Sequence, residues 1–217
     1  MRLRNIKNKE EIIKNSPYIV ENSEEYKGKW SKLFNNNNPI YIEIGMGMGK
    51  FIRENAIKHP DINFIGIEKE DKVLARSLPL IKENIDNLKI LRLNALEIDK
   101  VFANEIDNIY LNFSDPWPKL RHNKRRLTSK IFLEKYEHIF KTNITKTIEL
   151  RTDNEELFIY SLETLSTAGY HLSNITFDLN ATTPERITTE YEDKFSERGN
   201  KIYYLKASNN IKIWYNY

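Results

Sequence analysis

Short apolar runs alternate with stretches of helical period along most of this chain. Ile40–Ile44 reads as a strand, and Lys50–His59 as a helix that Pro60-Asp61 brings to a stop. Ile62–Ile67 is the next strand, closing at Glu68, and residues 71–85 carry a helical pattern. A third strand, Leu88–Leu93, closes at Asn94. A short helix over 96–104 precedes a fourth strand at 107–113. Ser129–Phe140 gathers Ile131, Phe132, Leu133, Tyr136, Ile139 and Phe140 on one side of an amphipathic helix. Ile144–Leu150 predicts a fifth strand, and Asn154–Thr167 a helix followed by Gly169. The tail is β-rich over Tyr170–Phe177 and Ile202–Tyr215, with Ser208-Asn209-Asn210 suited to a hairpin turn. Strand–helix alternation through residue 167 predicts an α/β fold: a mostly parallel sheet with helices on both faces.

Residues 1–38 form a polar amino-terminal extension that ends in Asn35-Asn36-Asn37-Asn38-Pro39. Within it, Tyr26, Trp30, Leu33 and Phe34 share one face of a helix expected near 23–34. The α/β domain then runs over 39–217, and 217 residues suffice to bury a core without staples. The chain has no cysteine, which excludes disulfides and thiolate metal sites and suits a reducing cytoplasm. His59, His122, His138 and His171 lack metal-ligand spacing, so no metal is expected. No apolar stretch nears the ~20 residues of a membrane helix, and Met1-Arg2-Leu3-Arg4 opens no secretory signal. A formal charge of +3 argues for nothing by itself; its local distribution does.

That distribution is most uneven after the fourth strand. Ile109-Tyr110-Leu111-Asn112-Phe113 delivers an acid at Asp115, between Ser114 and Pro116-Trp117-Pro118. The two prolines cannot donate to a sheet ladder, so the strand stops and leaves Asp115 at its carboxyl end. In open α/β sheets ligands bind at that end. From Lys119 to Lys130 there are six Lys or Arg and no acid. Lys119, Arg121, Lys124, Arg125, Arg126 and Lys130 thus read as a strip for a polyanion, with His122 as a phosphate or loop partner.

Glu43-Ile44-Gly45-Met46-Gly47-Met48-Gly49 occupies the first strand–helix junction. A dinucleotide turn, Gly-x-Gly-x-x-Gly counted from Gly45, would need glycine at position 50, which is Lys50. The chain reads acid-x-Gly-x-Gly-x-Gly instead, and Glu43 would repel a pyrophosphate while suiting an α-ammonium. Glu68 closes the second strand, where an acid bonds ribose hydroxyls in nucleoside-binding α/β folds. Asn94 closes the third, where an amide can pair with an adenine edge. S-adenosylmethionine, a sulfonium carrying adenosine and an amino acid, fits all three positions.

Glu-Ile-Gly-x-Gly-x-Gly, Gly66-Ile67-Glu68, Asn94-Ala95, Phe-Ser-Asp-Pro-Trp-Pro-Lys, Arg-His-x-Lys-Arg-Arg, Thr152-Asp153-Asn154 and Thr189-Glu190-Tyr191-Glu192-x-Lys194-Phe195 follow in this order. From about residue 40 to 202 the chain therefore resembles the bacterial tRNA (guanine-N7)-methyltransferase family. The resemblance implies a class I methyltransferase (Rossmann-like) fold with a seven-stranded, mostly parallel sheet. It implies methyl transfer to a guanine in the tRNA variable loop; the sequence leaves open whether the cytoplasmic protein expected here is a monomer or a homodimer. By motif position it implies cofactor contacts from Glu43, Glu68, Asn94 and Asp115, beside the turn glycines Gly45, Gly47 and Gly49. Asp115 is also the implied catalytic residue, and Lys119, Asp153, Thr189, Glu190, Tyr191 and Glu192 the implied substrate contacts. Many members carry Asp where this chain has Asn94.

Guanine N7 has an in-plane lone pair and no proton, so this chemistry needs alignment rather than a general base. The methylated ring becomes cationic, and a carboxylate aimed at it is stabilising; that role falls to Asp115. An Arg fork on O6 and N7 would block the reacting atom. The base is therefore read on its N1–H and N2–H₂ donors by a carboxylate, Glu192 first and Asp153 second. Trp117 has two readings, a stack on a base or packing under the loop, and Tyr191 shares that ambiguity. Backbone contacts are expected from Arg121, Lys124, Arg125 and Arg126. The rival functions are a nicotinamide dehydrogenase, a methyltransferase for small molecules or proteins, and a non-catalytic RNA-binding module.

Overall fold

A computed structural model describes residues 6–142, 144–196 and 199–209. The chain begins with α1 (Lys9–Lys14) and α2 (Trp30–Phe34), then enters the sheet with β1 (Ile40–Ile44). It continues through α3 (Lys50–Lys58), β2 (Asn63–Glu68), α4 (Asp71–Ser77), β3 (Leu88–Arg92), α5 (Ile98–Val101) and β4 (Asn108–Asn112). Next come α6 (Lys130–Ile139), β5 (Lys146–Thr152), α7 (Glu155–Thr167) and β6 (His171–Thr176). Two short helices, α8 (Leu179–Thr182) and α9 (Glu190–Ser196), lead to β7 (Tyr203–Asn209).

The seven strands form one sheet in the order β3-β2-β1-β4-β5-β7-β6. β1 to β5 run parallel, while β7 inserts antiparallel between β5 and β6. The order reverses between β1 and β4, which creates a crevice at their carboxyl ends. Alternation along β1 sends Ile40, Ile42 and Ile44 into one apolar cluster with Trp30, Phe102, Tyr136 and Phe158. Tyr41 packs on the opposite cluster with Phe64, Leu74 and Leu88, and Glu43 shares its parity. The predicted α/β class thus holds.

Residues 6–38 pack onto the domain. Trp30 is fully buried and its Nε1 donates to Val101 O at 3.0 Å. Glu105 fastens the same turn, accepting from the amides of Gly28 (2.8 Å) and Trp30 (3.2 Å). Tyr18 O accepts from Ile90 N at 2.8 Å, and Val20 N donates to Ile90 O at 3.1 Å, so this strip bridges onto β3.

Several boundaries differ from the sequence pattern. The helix expected near 23–34 is a 3-10 turn, Ser23–Tyr26, and α2, parted at Gly28, whose φ is +70°. The helix expected over 71–85 ends at Ser77 in a 3-10 turn, Leu78–Leu80, because Pro79 has no N–H to continue the ladder. That over 96–104 shrinks to the 3-10 turn Ala95–Glu97 and α5. Ile131 is exposed rather than on the buried side of α6. Ser208 and Asn209 pair with Thr147 and Lys146 in β7 instead of turning, and the rest of the expected β tail lies outside the described residues.

Candidate active site

At the crevice, β1 register sets Glu43 beside Tyr110 of β4. Two residues on, Asn112 Nδ2 donates to Glu43 Oε1 at 2.8 Å, whereas Glu43 Oε2 is buried without a partner among the described residues. Burial pushes the Glu43 carboxyl from the ordinary 4.5 up to about 8, against the pull of Asn112 and the Arg151 charge.

The turn after β1 is shaped by its glycines. Gly45, Gly47 and Gly49 have φ of +79°, +57° and +80°, a region that side chains make costly. The amides of Gly45 and Met46 both donate to Ile67 O, at 2.8 and 3.0 Å, pinning the turn to β2. A Cβ at Gly45 or Gly47 would meet nothing within 4 Å, so this backbone borders open space. Glu68 buttresses the turn by accepting from Gly47 N at 3.2 Å, and also from the amides of Lys69 and Glu70. Burial raises its pKa while those three backbone bonds lower it. Asn94 is exposed at the end of the neighbouring strand, with Oδ1 accepting from Leu96 N at 3.1 Å.

Beyond β4 the chain makes a loop with two non-glycine residues in the left-handed region, Phe113 (φ +51°) and Trp117 (φ +42°). Between them Asp115 is exposed, with no hydrogen bond or ion pair to any described residue. Lys119, Arg121, Lys124 and Arg125 are exposed beside it, on and before the 3-10 turn Leu120–Arg125. Arg126 departs from its assignment to the RNA backbone: only 2% of it is exposed. Its Nε donates to Pro116 O at 2.8 Å, and its Nη2 to Trp117 O at 3.3 Å and to Glu156 Oε1 at 2.6 Å. The guanidinium also lies 4.5 Å from the Tyr160 ring centre. A planar fork with carbonyl, carboxylate and aromatic partners is satisfied inside the fold, so it offers little to a phosphate. Trp117 is half-buried, with the Arg125 guanidinium 4.8 Å over its ring and His122 edge-on.

Glu192 too departs from its assignment, to the guanine edge. It is fully buried, accepting from Arg186 through Nε (2.8 Å) and Nη2, and from Arg151 Nη1 at 3.4 Å. Both oxygens serve guanidinium groups, so Glu192 presents no carboxylate to a purine edge. Asp153 is half-buried and accepts from Tyr191 Oη at 2.9 Å. Tyr191 is itself exposed, its ring 4.9 Å from that of Phe113. Thr189 Oγ1 accepts from Glu192 N at 2.9 Å. Glu190 Oε1 accepts from Lys50 N at 3.0 Å, and Lys50 Nζ donates to Thr188 Oγ1 (2.7 Å) and Asp193 Oδ2 (2.5 Å). Residues 188–193 are thereby fastened to the start of α3, directly behind the glycine turn.

The pairing of Asn112, Lys50, Arg151 and Arg186 with acids did not show in the sequence, because their carboxylate partners lie 41 to 143 positions away apart from the local Arg186–Glu192 pair. One clue existed: Arg151 closes an apolar strand, and a cation drawn into a core wants an acid. Among the described residues no cluster of metal-ligating side chains occurs, and no helix is long and apolar enough to cross a membrane.

Comparison with known proteins agrees with this geometry. Residues 37–205 match a family model described as "Putative methyltransferase". The structure titled "Structure of an Antibiotic Related Methyltransferase" superposes with a TM-score of 0.64 at 16% identity, covering 88% of this chain and 96% of that one. The 16S rRNA methyltransferase KamB gives 0.60 at 11% identity, over 85% and 93%. These structures share the class I methyltransferase fold. Closer in sequence, a tRNA (guanine-N(7)-)-methyltransferase of Lachnoclostridium phytofermentans is 48% identical over 95% of this chain and 98% of its own length. The Brevibacillus brevis protein of the same name is 44% identical over 98% of this chain and 100% of its own. With a seven-stranded sheet, a glycine turn at its switch point and relatives aligned nearly end to end, this chain belongs to the tRNA (guanine-N(7)-)-methyltransferase family.

Proposed function

We propose that this protein methylates N7 of a guanine in the tRNA variable loop, with S-adenosylmethionine as donor and Asp115 as its catalytic residue. One observation carries the reading: β1 and β4 are neighbours, so the glycine turn and the Asp115 loop open side by side at the reversal of strand order. The residues present fit the donor. Open space borders Gly45 and Gly47, and the unpartnered Glu43 Oε2 suits an ammonium group. Glu43, Gly45, Gly47, Gly49, Glu68 and Asn94 would hold it, and it supplies a methyl group on a positively charged sulfur.

The protein's task is then alignment and charge stabilisation. Guanine N7 brings its own lone pair, so no side chain need remove a proton. The Asp115 carboxylate, without a hydrogen bond or ion pair to any described residue, faces the purine and stabilises positive charge as it grows on the ring. Asp153 reads the N1–H and N2–H₂ edge, keeping one oxygen on Tyr191. That edge is reachable only on an unpaired or extruded base, as a loop target provides. Tyr191 offers an exposed ring at the same mouth, and Lys119, Arg121, Lys124 and Arg125 meet the phosphates. A tRNA substrate places the protein in the cytoplasm.

Incubating bulk unmodified tRNA with methyl-labelled donor, then analysing nucleosides, tests the reaction and the atom together. Label should appear as 7-methylguanosine, and label on another base would overturn the assignment. Asp115→Ala should lower turnover by roughly 10²–10³, the scale for losing an electrostatic stabiliser. Undiminished turnover in that variant would remove Asp115 from the mechanism.

A further inference from the structure

We infer that Arg126 is a positioning residue that holds the Asp115 loop in its working shape, in place of contacting RNA. The inference rests on the role given to Asp115 above. The loop has an intrinsic reason to collapse: Phe113 and Trp117, on either side of Asp115, both adopt the left-handed backbone without being glycine. Such residues persist only where the surroundings over-determine them.

Arg126 provides that determination. Its fork ties two successive carbonyls, Pro116 O and Trp117 O, immediately after Asp115. The second carbonyl belongs to the strained residue itself. The same Nη2 also donates to Glu156, and the guanidinium lies against the Tyr160 ring; both residues are on α7, a helix packed against the sheet. The loop is thus braced against a rigid element through one side chain. At the opposite end, Phe113 N donates to Arg151 O at 2.8 Å, continuing the β5 ladder. Asp115 lies between these two attachments, its position set by both. Arg125, the adjacent residue, is exposed, so the pair divides two duties between inner and outer cations.

The test is a double-mutant cycle with Asp115. Arg126→Met should lower kcat roughly 10- to 100-fold, the scale of a misplaced catalytic group, with KM for tRNA and donor changed less than about 3-fold. Arg126→Lys should recover part of the loss, because an ammonium reaches one carbonyl but cannot fork between two. In an Asp115→Ala background the same Arg126 change should cost less than about 3-fold, because residues acting as a unit are non-additive. The slope of tRNA affinity against salt should match that of the wild type. Equal losses in both backgrounds would refute the brace while leaving the role of Asp115 intact. A salt slope reduced by about one unit would refute it too, marking Arg126 as a phosphate contact. A fully active Asp115→Ala would refute the parent reading separately. If Arg126→Met does not fold, Arg126→Lys carries the cycle with the same criteria.

Discussion

Replacing Glu43 by Gln keeps the shape of a buried side chain and removes its charge. The Gln carbonyl can still accept from Asn112 Nδ2, so the change isolates ionisation. In the folded protein burial raises this carboxyl from 4.5 to about 8. Below pH 4.5 both folded and unfolded chains hold the proton, and Glu43 costs nothing. Between 4.5 and about 8 the folded state retains a proton that the unfolded state has released, so stability falls as pH rises. Above about 8 both states are ionised and the full cost is present. Each tenfold step in acidity is worth ~1.4 kcal/mol, which sets a ceiling near 5 kcal/mol for the whole interval. Relaxation around a buried charge brings the expected figure to about 2–4 kcal/mol. Urea unfolding of both proteins, from about pH 4 to about pH 9 without ligand, reads it directly. The variant should match the wild type at the acid end and exceed it progressively towards the alkaline end. A difference that stays constant across the range would refute the assignment of a buried, proton-holding Glu43. Adding S-adenosylmethionine at about pH 9 should narrow the gap, because an ammonium partner offsets the charge that Gln lacks.

Neutralising Arg121 and Arg125 together should flatten the dependence of log affinity for tRNA on log salt by about two units, measured by filter binding; an unchanged slope would turn the strip away from RNA. Trp30→Ala should cost about 3–5 kcal/mol in denaturant unfolding, since it empties a fully buried site and orphans the Val101 carbonyl. A loss under about 1 kcal/mol would mean that the amino-terminal segment is dispensable to the core. Gly66→Ala would set a Cβ 2.4 Å from Met46 Sδ, so the Met46 side chain, which springs from the glycine turn, must move aside. Calorimetry should show weaker donor binding, with about 1–3 kcal/mol lost in stability; unaltered affinity would uncouple Met46 from the turn.

The strands were legible because a buried parallel sheet writes itself as apolar runs. Ile40–Ile44 was read at its observed bounds, and β2 to β4 within one residue at either end. The helix starts at Asn154 and Ser129 were legible too, since both residues sit at the N-caps of their helices. Ends governed by single residues were harder: Gly28 and Pro79 each cut a helix whose apolar spacing ran on. The site divided along the same line. Local features showed through: the three glycines do form the turn between β1 and α3. Burial did not. Nothing in Arg-His-Asn-Lys-Arg-Arg distinguishes the inward Arg126 from the outward Arg125, because that depends on Glu156 and Tyr160 about 30 residues later. Glu192 likewise reads as a free acid until Arg151 arrives from β5.

The strip from Tyr18 to Val20 has a consequence beyond the packing of Trp30. β3 is the outermost strand on its side of the sheet, and a bare rim there is a template on which a second molecule can lengthen the sheet. By bonding to both backbone groups of Ile90, the strip occupies that rim in mid-strand, where a stranger would dock. The strip therefore acts as a selvedge: prised from Ile90, it would leave the protein to meet its neighbours edge to edge and self-associate as its concentration rises.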